Sequence, residues 1–375
     1  MTRKVYFDNS ATTRVAPEVL ESMMPFLTEE YGNPSSIHFM GDAASAALRV
    51  ARKQVADSLG CLPSEITFTS GGTESDNLAL IGAATACSDP KRRRIVTTAI
   101  EHEAVLEACE ELRRRGFGLT VLGVDSDGYL DPSVLDDAMG EDVCIVSVMA
   151  ANNVVGTIED IKELSKVAHE HGALFHTDAV QGYTKMRIDV AKDGIDMLSL
   201  SGHKIHAPKG IGALYVRNKT PILPINFGGG QERGLRSSTE NVPGIVGLGK
   251  AAELAMSTMD DDIQKMTKLR DEIIDDMLSI DGAHLNGPTG DRRLCNNTHF
   301  RFDGEKGLDT VIRLSREGIA VSAASACSAG STEPSYVLTA LGLTPEQCSS
   351  ALRISLSRYN TEEDVRYLSE VMRRI

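Results

Sequence analysis

Between about residue 60 and residue 215, short apolar runs alternate with longer stretches whose apolar residues recur at helical spacing. The runs 66–69, 95–98, 119–122, 143–148, 173–176 and 197–200 have the pattern of strands buried on both faces. Helices are predicted over 103–115 and 160–171, the latter with Ile161, Leu164, Val167 and Ala168 on one face. Strands alternating with helices imply a mostly parallel α/β sheet. After Gly234 the pattern becomes helical. Over 243–280, Ile263, Met266, Leu269, Ile273 and Met277 form one stripe, the mark of a long helix leading out of the sheet. The remainder, 282–375, holds strand patterns at 297–302 and 352–356 and an amphipathic helix from Glu362, as in a smaller α+β unit.

A chain of 375 residues suits two domains, at roughly 100 to 200 residues each. The division expected is a large α/β domain over 15–258 and a small domain made of 1–14 and 259–375. No stretch approaches the roughly 20 apolar residues that a bilayer demands. The opening residues reach Asp8 without the apolar run of a secretory leader, so a cytoplasmic location is expected. Seven irregularly spaced cysteines, with no CxxC pair and no Cys/His ligand spacing, point to reduced thiols and no metal site. A net charge of −14 argues against nucleic acid as a partner. The basic runs 92–94 and 113–115 read as solvated faces.

Ligands of an open parallel sheet sit at the carboxyl ends of its strands. The residues placed there are Ser70-Gly71-Gly72-Thr73, then His102, Asn152 with Asn153, Asp178 with Gln181, and Ser201-Gly202-His203-Lys204. Each alone has an ordinary structural explanation. Together they supply an anion cradle at a helix start, an imidazole, a carboxylate and a lysine. Pyridoxal phosphate needs a lysine for a Schiff base, a carboxylate for its ring nitrogen and donors for its phosphate. Lys209 competes with Lys204 for the first role.

At full length the chain resembles the cysteine desulfurases of the NifS/IscS type. The resemblance is carried by His176-Thr-Asp-Ala-Val-Gln181, Ser201-Gly-His-Lys204, Gly228-Gly-Gly-Gln-Glu-Arg-Gly-Leu-Arg-Ser-Ser-Thr239 and the segment around Cys327, Ser325-Ala-Cys-Ser-Ala-Gly-Ser-Thr-Glu-Pro-Ser335. It implies the aspartate aminotransferase-like fold of type I pyridoxal phosphate enzymes, and it implies roles for single residues. Lys204 would bind the cofactor covalently, Asp178 would pair with the ring nitrogen and Gln181 with the ring hydroxyl. His102 would stack on the ring and move protons, with Asn153 beside ring and substrate. Gly72, Thr73, Ser201 and His203 would cradle the phosphate, joined by Thr239 of a second subunit. Arg353, or Arg358 in its place, would hold the substrate carboxylate.

Cys327 would take the sulfur of L-cysteine as a persulfide, leaving L-alanine. The other six cysteines read as small apolar side chains. A homodimer, and a sulfur-acceptor protein such as an iron–sulfur scaffold, are implied as partners. Selenocysteine lyase or cysteine sulfinate desulfinase activity on the same fold, and a weakly catalytic sulfur-delivery scaffold, are the rival readings. Three departures from the family pattern stand out: Val154-Val155 for Glu-Ile, Ser238 for Gly, and an Ala-rich cysteine segment. They bear on rate and on the acceptor rather than on the presence of the chemistry.

Overall fold

The computed structural model describes residues 3–323 and 334–375. A short strand β1 (Val5–Tyr6) opens the chain, and two helices follow it, α1 (Pro17–Thr28) and α2 (Phe39–Leu59). The main sheet comprises β2 (Ile66–Thr69), β3 (Arg94–Thr98), β4 (Gly118–Leu122), β5 (Val143–Ser147), β6 (Leu174–Asp178), β7 (Met197–Ser201) and β8 (Gly212–Val216). Its order is β2-β8-β7-β6-β5-β3-β4. All its pairings are parallel except those of β8, which runs antiparallel between β2 and β7.

The connections carry α3 (Gly72–Ala86), α4 (Glu103–Arg114), α5 (Pro132–Ala138) and α6 (Ile161–Glu170). Their starts are written in the chain. The His102 and Asp160 side chains accept from the first-turn N–H groups of Ala104 and Glu163, which supplies partners for donors that a helix cannot satisfy internally.

Two features correct the expectation from pattern. The strand β8 is an addition to it, since Gly210 and Gly212 interrupt the apolar residues that lead into that strand. The run 119–122 is a strand but not one buried on both faces. Among the described residues it lies at the sheet edge with β3 on one side only, and Val121 is 48% exposed.

The long helix is α7 (Val242–Leu278), opened by Asn241 accepting from Gly244 N–H. At about 1.5 Å per residue it spans about 55 Å, enough to serve two cores. Its first half packs Ile245, Leu248, Ala251 and Ala252 with the sheet's core, while Met266, Leu269, Ile273 and Met277 enter a second core with Phe300, Ile354 and Val365. That second core lies under a four-stranded sheet built from β9 (Ala283–Leu285), β10 (Asn297–Phe302), β12 (Ser322–Ala323) and β13 (Ala351–Ser355). The N-terminal strand β1 pairs with β11 (Ile319–Ala320) in a separate two-stranded sheet and brings Val5 into the second core.

Candidate active site

A cavity of about 390 Å³ opens where the parallel strands of the main sheet end, the position that α/β topology favours for ligands. After β2, the chain turns into α3 at Gly72. A Cβ there would come 2.7 Å from Val180 Cγ2, so only glycine lets the helix start approach the cavity this closely. The free N–H groups of this first turn suit an anion. Thr73, Ser201 and His203 line the same end. Glu74, an acid in that turn, is drawn aside by Arg236 Nε at 2.8 Å and by Ser70 N–H at 2.6 Å.

After β3 comes His102, the cap of α4. Its Nδ1 accepts from Ala104 N–H at 3.1 Å, which fixes the orientation of the ring. Glu101 is wholly buried, its Oε1 taking the Thr98 hydroxyl at 2.7 Å and Met149 N–H at 3.0 Å, and burial pushes its pKa up to about 8.

The two asparagines after β5 divide the work. Asn152 is a fold residue, its Oδ1 accepting from Val154 N–H (2.8 Å) and Val155 N–H (3.0 Å). Asn153 lines the cavity, and its buried Oδ1 has no partner among the described residues.

Asp178 ends β6, where Val180 N–H donates to its Oδ1 at 2.8 Å. Burial raises its pKa, against the pull of His102, the Val180 hydrogen bond and Lys204 toward the charged form. Gln181 donates to the Ser10 carbonyl at 2.9 Å. Lys204, just past β7, reaches the same carbonyl at 2.6 Å and that of Ala11 at 2.8 Å. His203 Nδ1 meets Thr12 Oγ1 at 3.1 Å, and burial with the nearby Lys204 charge brings its pKa down to about 4.

Arg353, on β13, closes the cavity from the second sheet. Its side chain is 2% exposed, held by the Asn153 carbonyl at 2.8 Å and Asp8 Oδ1 at 3.0 Å, while Nε has no partner among the described residues.

Thus ten residues named from sequence, Gly72, Thr73, His102, Asn153, Asp178, Gln181, Ser201, His203, Lys204 and Arg353, share one cavity. The alternatives separate cleanly. Lys209 is exposed and outside it. Arg358 is an ion-pair residue, 3.4 Å from Asp262. Thr239 is exposed and does not line the cavity of its own chain. Cys327 lies outside the described residues. Sequence reasoning missed Ser10 and Ala11, whose backbone carbonyls face the lysine, and it missed Asp76, Met149 and Tyr336 on the wall. The only available signal was the polar run from Asp8 to Thr13, and a backbone carbonyl leaves no trace in a side-chain pattern.

A family model described as "Aminotransferase class-V" matches residues 5–368. "Cysteine desulfurase IscS" of Methanosarcina thermophila is 49% identical over 371 residues, 99% of this chain and 91% of that protein. The protein of the same name from Dictyoglomus turgidum is 46% identical over 376 residues, 100% of this chain and 95% of the relative. Among solved structures, a "NifS-like protein" superposes with a TM-score of 0.93 at 41% identity and covers 100% of both chains. One titled "SspA in complex with cysteine" gives 0.82 at 39% identity, over 95% of this chain and 99% of that one. With a family model over nearly the whole chain and near-half identity at full length, the protein belongs to the class-V aminotransferase family, in its branch of NifS/IscS-type cysteine desulfurases.

Proposed function

We propose that the cavity binds pyridoxal 5'-phosphate and that the protein desulfurates L-cysteine to L-alanine, passing the sulfur to Cys327 as a persulfide. The observation that carries this is the convergence of lysine, carboxylate, imidazole and helix start on one cavity. The residues fit the cofactor chemically. The start of α3 with Thr73, Ser201 and His203 suits a dianionic phosphate. Asp178, whose pKa burial raises while His102, Val180 N–H and Lys204 pull it toward the charged form, suits a protonated ring nitrogen. The Oδ1 of Asn153 and Nε of Arg353, without a partner among the described residues, are buried polar atoms that a bound ligand would satisfy.

When bound, the cofactor supplies an electron sink for charge developing at the substrate α-carbon. Lys204 anchors it and, once released, moves the α-proton, its amine kept near the cavity by the Ser10 and Ala11 carbonyls. Arg353 grips the substrate carboxylate and fixes its orientation. His102 offers its imidazole to the reacting groups. The Cys327 thiolate attacks the substrate sulfur. The carbon–sulfur bond breaks with its electron pair going to carbon, which takes a proton, and a sulfur–sulfur bond remains on the enzyme.

The same reading makes the protein a cytoplasmic homodimer that serves a sulfur acceptor, such as an iron–sulfur scaffold. Thr239 would reach the phosphate of the neighbouring subunit. Its exposure, and the exposure of Leu20, Met24, Leu27 and Tyr31 near α1, support a shared interface. Among the described residues no helix is long and apolar enough to cross a membrane. The division at 15–258 against 1–14 with 259–375 is supported by the separate cores that the two halves of α7 enter. The test is the visible absorbance of the purified protein, followed by borohydride reduction and peptide mapping. Label on Lys204 is expected. Label on Lys209, or no bound cofactor, overturns the proposal.

A further inference from the structure

Beneath the cavity stands a carboxyl that the mechanism above does not use. Asp76, in the second turn of α3, is 1% exposed, lines the cavity, and its Oδ1 has no hydrogen-bond partner among the described residues. His176 Nε2 lies 3.7 Å from that oxygen, a distance at which a charged imidazole would form an ion pair. Burial disfavours a charge on that ring. It is wholly buried between Ser147 Oγ (2.8 Å from Nδ1) and Ser199 Oγ (3.0 Å from Nε2), and burial brings its pKa down to about 3.

An ionised Asp76 would therefore be an uncompensated charge in the core. It would also repel the buried Asp178 from β6, with Ser199 of β7 to hydrogen-bond it among the described residues. Burial raises the pKa of Asp178 too, but Asp178 has support for its charge that Asp76 lacks: His102, the Val180 N–H that donates to it, and Lys204. Neighbouring acids in a water-poor site do not both ionise, and the proton stays on the one with less support.

We propose that Asp76 is a positioning residue that keeps its proton, so that the buried pair of Asp76 and Asp178 carries one negative charge, held on Asp178. The function of that charge, to meet the cofactor's ring nitrogen, rests on the reading above. The location of the proton does not. A neutral Asp76 spares Asp178 the repulsion that would otherwise drive it to bind a proton itself.

The test is infrared spectroscopy of the holoprotein near neutral pH. The carbonyl stretch of a protonated, weakly hydrogen-bonded acid is expected in the unaltered protein and should be absent in Asp76→Asn. In Asp178→Asn the band should persist and titrate away at a pH lower by about one unit, a tenfold weakening of proton binding. Labelling aspartate with carbon-13 at the side-chain carboxyl shifts the band in the unaltered protein and separates it from that of Glu101, with no variant needed. A label-insensitive acid band, or a band lost in Asp178→Asn but kept in Asp76→Asn, overturns the proposal. The visible absorbance of the same samples reports the cofactor separately, so failure of the cofactor reading leaves the carboxyl result interpretable.

Discussion

Glu232→Ala should destabilise the protein far more than its loop position suggests. Glu232 sits at a positive φ of 48° in the glycine-rich segment that leads to Thr239. Its carboxylate, on a side chain 3% exposed, receives Arg52 Nη2 at 2.6 Å, Arg52 Nη1 at 2.7 Å and Phe68 N–H at 3.0 Å. The guanidinium, 16% exposed, also donates to the Ile66 carbonyl at 2.7 Å and lies 4.6 Å from the Phe68 ring centre. Truncation removes three charge-assisted or buried hydrogen bonds and leaves a largely dry cation with one carbonyl and one aromatic face. Gross hydrogen-bond energies would sum higher, but water can reach part of Arg52, so the loss expected is that of a broken buried pair, about 3–5 kcal/mol. Glu232→Gln keeps shape and loses charge, for about 1–3 kcal/mol. Urea unfolding of Arg52→Ala, Glu232→Ala and the double variant measures the coupling, which should be at least about 1.5 kcal/mol. A Glu232→Ala loss below about 1 kcal/mol, or single losses that add within about 0.5 kcal/mol, would refute the assignment of this pair as the clasp between the segment and β2.

Other outcomes test the chemistry and its electrostatics. Cys327→Ser should bind cofactor normally and release almost no alanine or sulfide, because a hydroxyl is a far poorer sulfur acceptor than a thiolate; sulfide production at the unaltered rate would remove Cys327 from the mechanism. In a mixed dimer of Thr239→Ala and Lys204→Ala chains, the one site with a lysine should bind cofactor at normal affinity if Thr239 reaches across subunits. Loss of a charge-assisted hydrogen bond within one chain would instead weaken that site by about ten- to a hundredfold. Burial raises Glu159 from 4.5 to about 8, so the folded protein holds a proton there that the unfolded chain releases. Stability from this group is present below about 4.5 and is lost as pH rises toward about 8. Glu159→Gln, which can still accept from Leu130 N–H, should flatten that fall in urea midpoints measured across the range; an unchanged slope would count against the buried acid as its source.

The sequence alone determined the elements whose signals are local. Apolar runs bounded by polar residues produced β2, β3, β5, β6, β7 and β10, and the Ile263-to-Met277 stripe produced the second half of α7. It also determined the chemical inventory at the strand ends, because a residue that follows a buried strand in a parallel sheet has few places to go. Tertiary structure decided what depends on distant partners. The strand β8 exists because residues from Ile66 and from Met197 onward leave a gap between β2 and β7 that an antiparallel strand fills. Val121 became exposed where β4 has no second neighbour among the described residues. The Ser10 carbonyl came to face Lys204 across a separation of 194 residues, and Asp8 came to Arg353 across 345. Asp76 reads as one polar residue among several in a helix start. It became a buried acid only when α3 packed against the sheet beside His176 and Asp178, since desolvation and repulsion belong to the assembled site and to no single position in the chain.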